Sequence, residues 1–201
     1  METGSPGSAR RSSGSGLSAL GFLVALGISA PQSHAQLPHV ATSSESDLKS
    51  AFLYRFVAYV EWPPSSAAAV EDRLTFCILG DDPVAESLER TVRGKSEIGK
   101  PLTVHRLGSQ KDTKGCAVLF IGSNGTPDLA AVLSSVRTKP ILTVGDADDF
   151  IRRGGIILFY SEASKLRFEI NLDAAEAAGL KLGSRLLSLA RIVRRRPPGA
   201  P

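Results

Sequence analysis

The sequence contains few of the side chains that most often carry catalysis or bind transition metals. Among its 201 residues are three histidines, two cysteines, one tryptophan and one methionine. Only His105 lies within the folded domain that we predict, and no Gly-x-Ser-x-Gly sequence is present, which argues against a hydrolase triad. A zinc site needs several nitrogen or sulfur ligands, more than this chain offers once its cysteines pair. We therefore predict a protein that is not an enzyme and that uses no cofactor or metal.

The amino terminus has the pattern of an export signal. Arg10 and Arg11 precede an uncharged apolar run over residues 17–30, and Ser33 and Ala35 give the small-residue pattern of a signal-peptidase site. The run of about 14 residues is short for a bilayer span, which needs roughly 20. We predict a signal peptide over residues 1–35, cut near Ala35, and a flexible lead-in over residues 36–44. An uncleaved membrane anchor is the alternative.

Export affects the interpretation of the two cysteines. Cys77 and Cys116 each lie in a short apolar run that reads as a strand. In an oxidising compartment an even number of cysteines favours a disulfide, and neighbouring strands of one sheet would bring the two sulfurs within reach. Two buried free thiols are the alternative.

The body of the chain alternates apolar runs with segments of helical spacing. This pattern predicts a single α/β domain over residues 45–193, with a mostly parallel sheet, helices on both faces and a C-terminal hairpin, followed by a basic, proline-rich tail over residues 194–201. The predicted strands are 74–79, 101–107, 116–121, 140–144, 155–160 and 166–170, and the predicted helices are 47–61, 83–92, 127–136, 172–178 and 184–193.

The first predicted helix is apolar on more than one side. Phe52, Phe56 and Tyr59 recur at helical spacing, and Trp62 follows directly before two prolines. One side can cover the sheet, whereas the other needs a second element or a partner. We therefore treat these four aromatic residues as candidate partner-binding residues. The alternative is that the helix only covers the sheet.

Two polar groups are also candidates for binding. Arg167, Glu169 and Asn171 share one face of a predicted strand, where they could contact a ligand or partner, brace the first helix through hydrogen bonds, or face solvent. Asp146, Asp148 and Asp149 follow another strand. Carboxylates there can bind metal or catalyse, but capping of the next helix is the favoured interpretation, as it is for Asp81 and Asp82.

Several segments together resemble the YfiR family of periplasmic proteins. The similar stretches, which occur in the family's order and span about residues 45–193, are 48–56 with Glu61, Trp62 and Pro63, then 76–80, 116–122, 140–146, 167–171 and 184–187. The resemblance implies a periplasmic, non-enzymatic α/β domain, often dimeric, with a disulfide between Cys77 and Cys116. Relatives that act as regulators bind the periplasmic sensor domain of an inner-membrane diguanylate cyclase and hold it inactive, which lowers cyclic di-GMP and biofilm formation.

The resemblance also sets limits on the functional interpretation. Some relatives carry a further cysteine pair that this chain lacks, so their redox switching does not carry over directly. The alternative function is a periplasmic domain that senses a small molecule and presents it to a membrane receptor, with Arg167, Glu169 and Asn171 as its site. The mild formal charge of +4 gives no indication of nucleic-acid binding.

Overall fold

The computed structural model describes residues 44–108, 112–123 and 128–194. The predicted signal peptide over residues 1–35 lies outside these residues, as do most of the predicted lead-in and of the predicted tail. Those three assignments therefore stay predictions.

An eight-stranded sheet forms the centre of the domain. Its order is β10-β8-β7-β6-β5-β2-β4-β3, and the remaining strands, β1 and β9, pair with each other in a small antiparallel ribbon. The strands are β1 Val60–Glu61, β2 Leu74–Leu79, β3 Ser96–Glu97, β4 Lys100–Leu107, β5 Cys116–Ile121, β6 Leu142–Gly145, β7 Ile157–Glu162, β8 Lys165–Asn171, β9 Lys181–Leu182 and β10 Arg191–Val193.

Helices cover both faces of this sheet. They are α1 Glu45–Phe56, α2 Ala67–Val70, α3 Pro83–Val92, α4 Leu129–Val136, α5 Leu172–Ala177 and α6 Ser184–Leu187, and a single 3-10 turn, Val57–Tyr59, follows α1. Two buried clusters result, because alternate residues of a strand point to opposite faces. Phe76 and Ile78 of β2 pack with α1 and α3, whereas Cys77 and Leu79 pack with α4.

The predicted fold class is confirmed. Strands β4, β2, β5, β6 and β7 run parallel, and β7 and β8 form the predicted antiparallel hairpin. The central strands are nearly continuous apolar sequences because both of their faces are covered.

Two predicted helices end earlier than the sequence pattern indicates. The first was predicted to reach residue 61, but α1 stops at Phe56, and Val60 pairs with Leu182 in the β1–β9 ribbon. The last was predicted to reach residue 193, but α6 stops at Leu187, and β10 then pairs in parallel with β8. In both cases a β-branched apolar residue, Val60 or Ile192, pairs with a distant strand. This strand pairing outweighs the helical spacing of the local sequence.

Helix α1 is fixed at its start and along its side. Ser44 accepts a hydrogen bond from the Asp47 backbone N–H, while Asp47 accepts from the Ser44 N–H, which is a reciprocal capping box. Asp47 also accepts a hydrogen bond of 2.8 Å from the Ser87 hydroxyl of α3. The Ser87 and Ser44 hydrogen bonds lower the pKa of Asp47 to about 2. The amino-terminal turn of α1 is thereby held against α3.

Candidate functional site

The structure divides the four predicted aromatic residues into one that is buried and three that are partly exposed. Phe56 is only 1% exposed and packs against Phe159 and Phe168, with ring centroids 5.7 and 5.1 Å away. It is therefore a core residue, and its prediction as a partner-binding residue is corrected, because the hairpin β7–β8 covers this side of α1. Phe52 is partly buried at the edge of the same cluster, 5.6 Å from Phe168.

Tyr59 and Trp62 lie where the chain leaves α1 and enters the β1–β9 ribbon. Both are partly buried, and the Gly183 N–H donates a hydrogen bond of 2.8 Å to the Tyr59 carbonyl. The Trp62 indole N–H is buried without a hydrogen-bond acceptor in the described part of the chain. We call the partly exposed residues Phe52, Tyr59 and Trp62 the aromatic patch; they are the members of the predicted set that a partner can reach.

The three polar residues of β8 differ in their surroundings. Arg167 is exposed and lies 3.8 Å from Glu162 of the neighbouring strand. Glu169 is buried and forms an ion pair with Arg191, and Asn171 accepts a hydrogen bond from the Ala174 N–H at the start of α5. The difference arises because β10 pairs with Glu169 and Asn171 but does not extend to Arg167. Glu169 and Asn171 therefore hold neighbouring elements of the fold in place, as one of the interpretations of this face proposed. The elements they hold are β10 and α5, and not the first helix.

Arg191 also contacts the polar residues of β8, although no sequence pattern places it there. Its guanidinium group lies 4.6 Å from the centroid of the Tyr160 ring while it pairs with Glu169. A cation placed over an aromatic face is attracted to the ring electrons. The leucine spacing predicts a helix over residues 184–193, so the sequence does not indicate that Arg191 lies beside β7 and β8.

A second polar group occupies the carboxyl ends of the parallel strands. Lys49 of α1 donates a hydrogen bond of 2.5 Å to Asp146, which follows β6. The other Asp146 oxygen accepts a hydrogen bond of 2.6 Å from the Ser123 backbone N–H, which follows β5. Asp146 therefore links α1 to two strand ends, and it does not cap a helix as the sequence analysis favoured.

Asp82 completes this edge and behaves as predicted. It follows β2 and accepts a hydrogen bond of 2.8 Å from the Val84 N–H, so it caps α3. A Cβ atom at Gly122 would collide with the Asp82 carboxylate, so the end of β5 needs glycine at this position.

Of the remaining acidic residues, Asp149 pairs with Arg153, and Asp148 is exposed.

Burial and charge shift the pKa values of this group in identifiable directions. Burial lowers the pKa of Lys49, but its hydrogen bonds to Asp146 and Glu45 outweigh that effect, and the net pKa lies above the usual lysine value. Burial raises the pKa of Asp82, and the nearby Asp146 charge adds to the rise. Lys49 therefore stays positively charged over the physiological pH range, and it neutralises one of the clustered carboxylates.

The predicted disulfide is present between Cys77 and Cys116, with Cα atoms 5.7 Å apart. The two cysteines lie on the adjacent parallel strands β2 and β5. A bulge where Thr75 faces Cys116 and Phe76 faces Val118 leaves Ala117 unpaired. Without that extra residue Cys116 would share a face with Val118; with it, Cys116 lies in the same buried cluster as Cys77.

Comparison with known proteins decides the family. A model of the YfiR/HmsC-like family matches residues 46–191, which is more than half of the chain. The chain belongs to the YfiR/HmsC-like family. Membership implies periplasmic regulation of a diguanylate cyclase, and the YfiR/HmsC-like family is in general regulatory rather than enzymatic.

A solved structure is also similar to this YfiR/HmsC-like chain. It is described as a conserved domain protein from Vibrio cholerae O1 biovar El Tor, and it is 12% identical in sequence with a TM-score of 0.49. The alignment covers 76% of this chain and 60% of that chain.

Two further observations concern the kinds of site that the YfiR/HmsC-like domain offers. Within residues 44–108, 112–123 and 128–194, no group of three or more histidine, cysteine, aspartate or glutamate side chains is arranged to hold a metal ion. In the same part of the chain, no helix is both long and apolar enough to cross a membrane.

Proposed function

We propose that this chain is a periplasmic, non-enzymatic regulator that represses an inner-membrane diguanylate cyclase by binding the periplasmic sensor domain of that enzyme. Repression would lower cyclic di-GMP and biofilm formation. The observation that carries the proposal is the family match over residues 46–191. The proposal includes export through a signal peptide over residues 1–35, cut near Ala35, and a regulatory domain over residues 45–193 that forms a homodimer.

The aromatic patch supplies a physical basis for partner binding. Phe52 presents an edge of a phenylalanine cluster whose other members are buried, so its ring is held in a fixed position. Tyr59 and Trp62 are fixed in turn by the β1–β9 ribbon and its neighbouring backbone hydrogen bond. Rigid, partly exposed aromatic side chains often dominate the binding energy of protein interfaces, since little conformational freedom is lost on association. Arg167, which is exposed, is the β8 residue best placed to add a polar contact.

A regulator of this kind must bind one state of its partner more tightly than another. The disulfide ties β2 to β5 and so limits rearrangement of the central sheet. The domain therefore presents one fixed surface, which can fit one state of the partner better than another. A rigid domain loses less conformational entropy on binding than a loose one.

Deletion of the gene tests the proposal in cells. We expect cyclic di-GMP, measured by mass spectrometry, to rise in the deletion strain and biofilm mass to rise with it. The full chain should restore the original level, whereas a version without residues 1–35 should not, because the protein would stay in the cytoplasm. Unchanged cyclic di-GMP in the deletion strain would contradict repression of a cyclase.

Substitutions in the aromatic patch test its role separately. Tyr59→Ala should fail to restore repression although the purified variant keeps the circular dichroism spectrum of the folded protein. Ile98→Ala is the matched control, because Ile98 is an exposed apolar residue in the turn between β3 and β4 and does not belong to the aromatic patch. Equal complementation by both variants would remove the patch from the proposed interface.

The alternative function is a periplasmic small-molecule sensor that presents its ligand to a membrane receptor. Glu169 and Asn171 are engaged in internal contacts, so Arg167, which is exposed beside Glu162, is the residue of the originally proposed face that a ligand can reach. Calorimetry with a panel of metabolites separates the two functions, since only the sensor would give saturable heat in the absence of a protein partner.

A further inference from the structure

The charges of the chain are separated along the sequence. Residues 177–201 carry six basic side chains and no acidic one, whereas residues 36–176 carry 16 basic and 19 acidic side chains. The formal charge of the whole chain, +4, does not show this separation. A segment whose charges all have one sign attracts surfaces of the opposite sign. The carboxyl-terminal segment is therefore the part of the chain that an anionic surface attracts.

The same segment exposes apolar side chains. Leu189 is 67% exposed and Ile192 is 40% exposed, and they are two of the five exposed large hydrophobic residues in the described part of the chain. Ile192 lies in β10, the last strand in the order of the sheet, so no described strand covers its outer edge. Single exposed hydrophobic residues are common, but apolar side chains among cations are typical of segments that bind at a membrane surface.

Arg185 and Leu189 lie on the same side of this segment. The helical turn of α6 continues to Leu189, whose N–H donates a hydrogen bond of 3.2 Å to the Leu186 carbonyl. Residues four positions apart on a helical turn are neighbours on its surface. Leu186 is 2% exposed and faces the core, which leaves Arg185 and Leu189 on the outer side. A cation and an apolar group thus lie next to each other on the surface.

Two arginines of this surface can bind an external anion. Arg185 is exposed and has no ion pair to another residue in the described part of the chain. Arg194 lies 3.9 Å from Glu176, and both side chains are more than 60% exposed. Solvent screens such a pair, so an anion can compete for the arginine. Arg191 differs, because it is engaged by Glu169 and holds β10 on the sheet.

A second copy of the chain fits this edge less well than an anionic bilayer does. Antiparallel pairing of β10 with β10 of another copy would bring the arginines of both segments side by side, and like charges on paired strands are destabilising. Anionic phospholipid headgroups instead neutralise the arginines, and the acyl boundary beneath the headgroups takes up apolar side chains.

We propose that residues 185–194 dock on the surface of a bilayer that contains anionic phospholipid. Arg185 and Arg194 contact the headgroups, and Leu189 and Ile192 enter the boundary between headgroups and acyl chains. None of these residues belongs to the aromatic patch. The place of this docking in the cell rests on the proposed function, since an exported chain meets the outer leaflet of the inner membrane. Docking would hold the regulator beside an inner-membrane partner.

Sedimentation with lipid vesicles tests the proposal on the purified mature protein. We expect the protein to sediment with vesicles made of equal parts of phosphatidylglycerol and phosphatidylcholine, and to stay in solution with vesicles of phosphatidylcholine alone. The fraction bound to anionic vesicles should fall as the NaCl concentration is raised, because salt screens the attraction between arginines and headgroups.

A pair of arginine variants tests whether the charge acts at this surface. Arg185→Gln should lower the partition coefficient about fivefold, as expected for one basic residue close to an anionic membrane. Arg137→Gln is the matched control and should bind as the wild type does. Arg137 is also exposed and has no ion pair in the described part of the chain, but it follows α4 and lies outside the proposed surface.

A pair of apolar variants tests contact with the acyl boundary. Leu189→Ala should lower the partition coefficient about tenfold, which corresponds to the burial of roughly two methylene groups. Val70→Ala is the matched control and should leave binding unchanged, because Val70 is 65% exposed but lies in α2. All four replaced side chains are exposed, so the variants are expected to fold, and their thermal melting curves verify this.

The proposal is wrong if anionic vesicles do not sediment the protein, if neutral vesicles sediment it equally, or if Arg185→Gln and Arg137→Gln bind alike. Equal binding of Leu189→Ala and Val70→Ala would mean that charge alone acts, as an acidic protein could supply, and would rule out the bilayer as the partner. Failure of vesicle binding leaves the proposed repression of a cyclase standing, because cyclic di-GMP in the deletion strain tests that separately.

Discussion

The Lys49 ammonium group and the Asp146 carboxylate form an ion pair of 2.5 Å between residues 97 positions apart, and their side chains are only 11% and 13% exposed. The pair joins the second turn of α1 to the carboxyl end of β6. Since both charges are largely removed from solvent, each depends on the other for compensation, and the loss of one partner costs more than the intact pair contributes.

A double-mutant cycle should reveal strong coupling between these residues. Lys49→Met leaves Asp146 without its cation, so we expect the free energy of unfolding to fall by about 3 kcal/mol. Adding Asp146→Asn should restore part of that loss, because the unpaired charge is removed. Urea denaturation of the wild type, the two single variants and the double variant measures the coupling energy.

Arg106 and Glu89 provide the control pair for this cycle. Their groups are 2.9 Å apart, but the side chains are 48% and 41% exposed. Solvent screens such a pair, and its coupling energy should be at most about 1 kcal/mol. If the two cycles gave equal coupling, the burial of the Lys49–Asp146 pair would have no energetic significance.

Removal of the disulfide should destabilise the domain. Cys77 and Cys116 are separated by 39 positions, and a crosslink closing a loop of that length stabilises by roughly 3–4 kcal/mol in the chain-entropy model. The Cys77→Ala, Cys116→Ala double variant should lose about that much unfolding free energy. A reducing agent should lower the stability of the wild type to a similar degree and leave the variant unaffected. Equal stability of oxidised wild type and variant would show that the crosslink contributes nothing.

Asp82→Asn should stabilise the protein at neutral pH. Burial raises the pKa of Asp82 above its usual value of 3.8, so the charged form costs stability at higher pH and the protonated form does not. Asparagine caps a helix about as well as aspartate, so the α3 cap is retained. The advantage of the variant should therefore be present at pH 7 and disappear as the pH falls through the raised pKa and below 3.8. An advantage that is independent of pH would contradict this explanation.

Phe56 and Phe52 should respond differently to truncation. Phe56 is 1% exposed, and Phe56→Ala should cost about 3–5 kcal/mol because it leaves a cavity beside Phe159 and Phe168. Phe52 is only partly buried, so Phe52→Ala should cost less stability while weakening partner binding. Chemical denaturation measures the loss of unfolding free energy in each variant. A larger loss for Phe52→Ala than for Phe56→Ala would mean that α1 packs on the sheet with its other side.

The sequence was sufficient to predict the central strands but not the contacts between distant segments. Strands β2 and β5 are predictable because burial on both faces requires continuous apolar residues, as in 74–79 and 116–121. β10 was missed because residues 191–193 follow leucines at helical spacing, and only pairing with β8 makes them a strand. The Asp82 cap could be recognised from its position before Pro83, since capping is local. The Lys49–Asp146 pair could not, because nothing near either residue in sequence indicates the other.

The burial of Phe56 likewise depends on tertiary structure. Its helical spacing with Phe52 and Tyr59 indicates a shared face but not how far the β7–β8 hairpin extends over that face. The same limit applies to β8, where alternation places Arg167, Glu169 and Asn171 together while β10 covers only the last two.

Site-specific photo-crosslinking in cells tests the central claim most directly. A photoreactive amino acid at Phe52, in the aromatic patch, should crosslink the chain to an inner-membrane diguanylate cyclase that mass spectrometry identifies. The same amino acid at Ile98 should not, since Ile98 is an exposed residue of the turn between β3 and β4 and does not belong to the aromatic patch. Recovery of no cyclase from the Phe52 position, or equal recovery from both positions, would contradict the account.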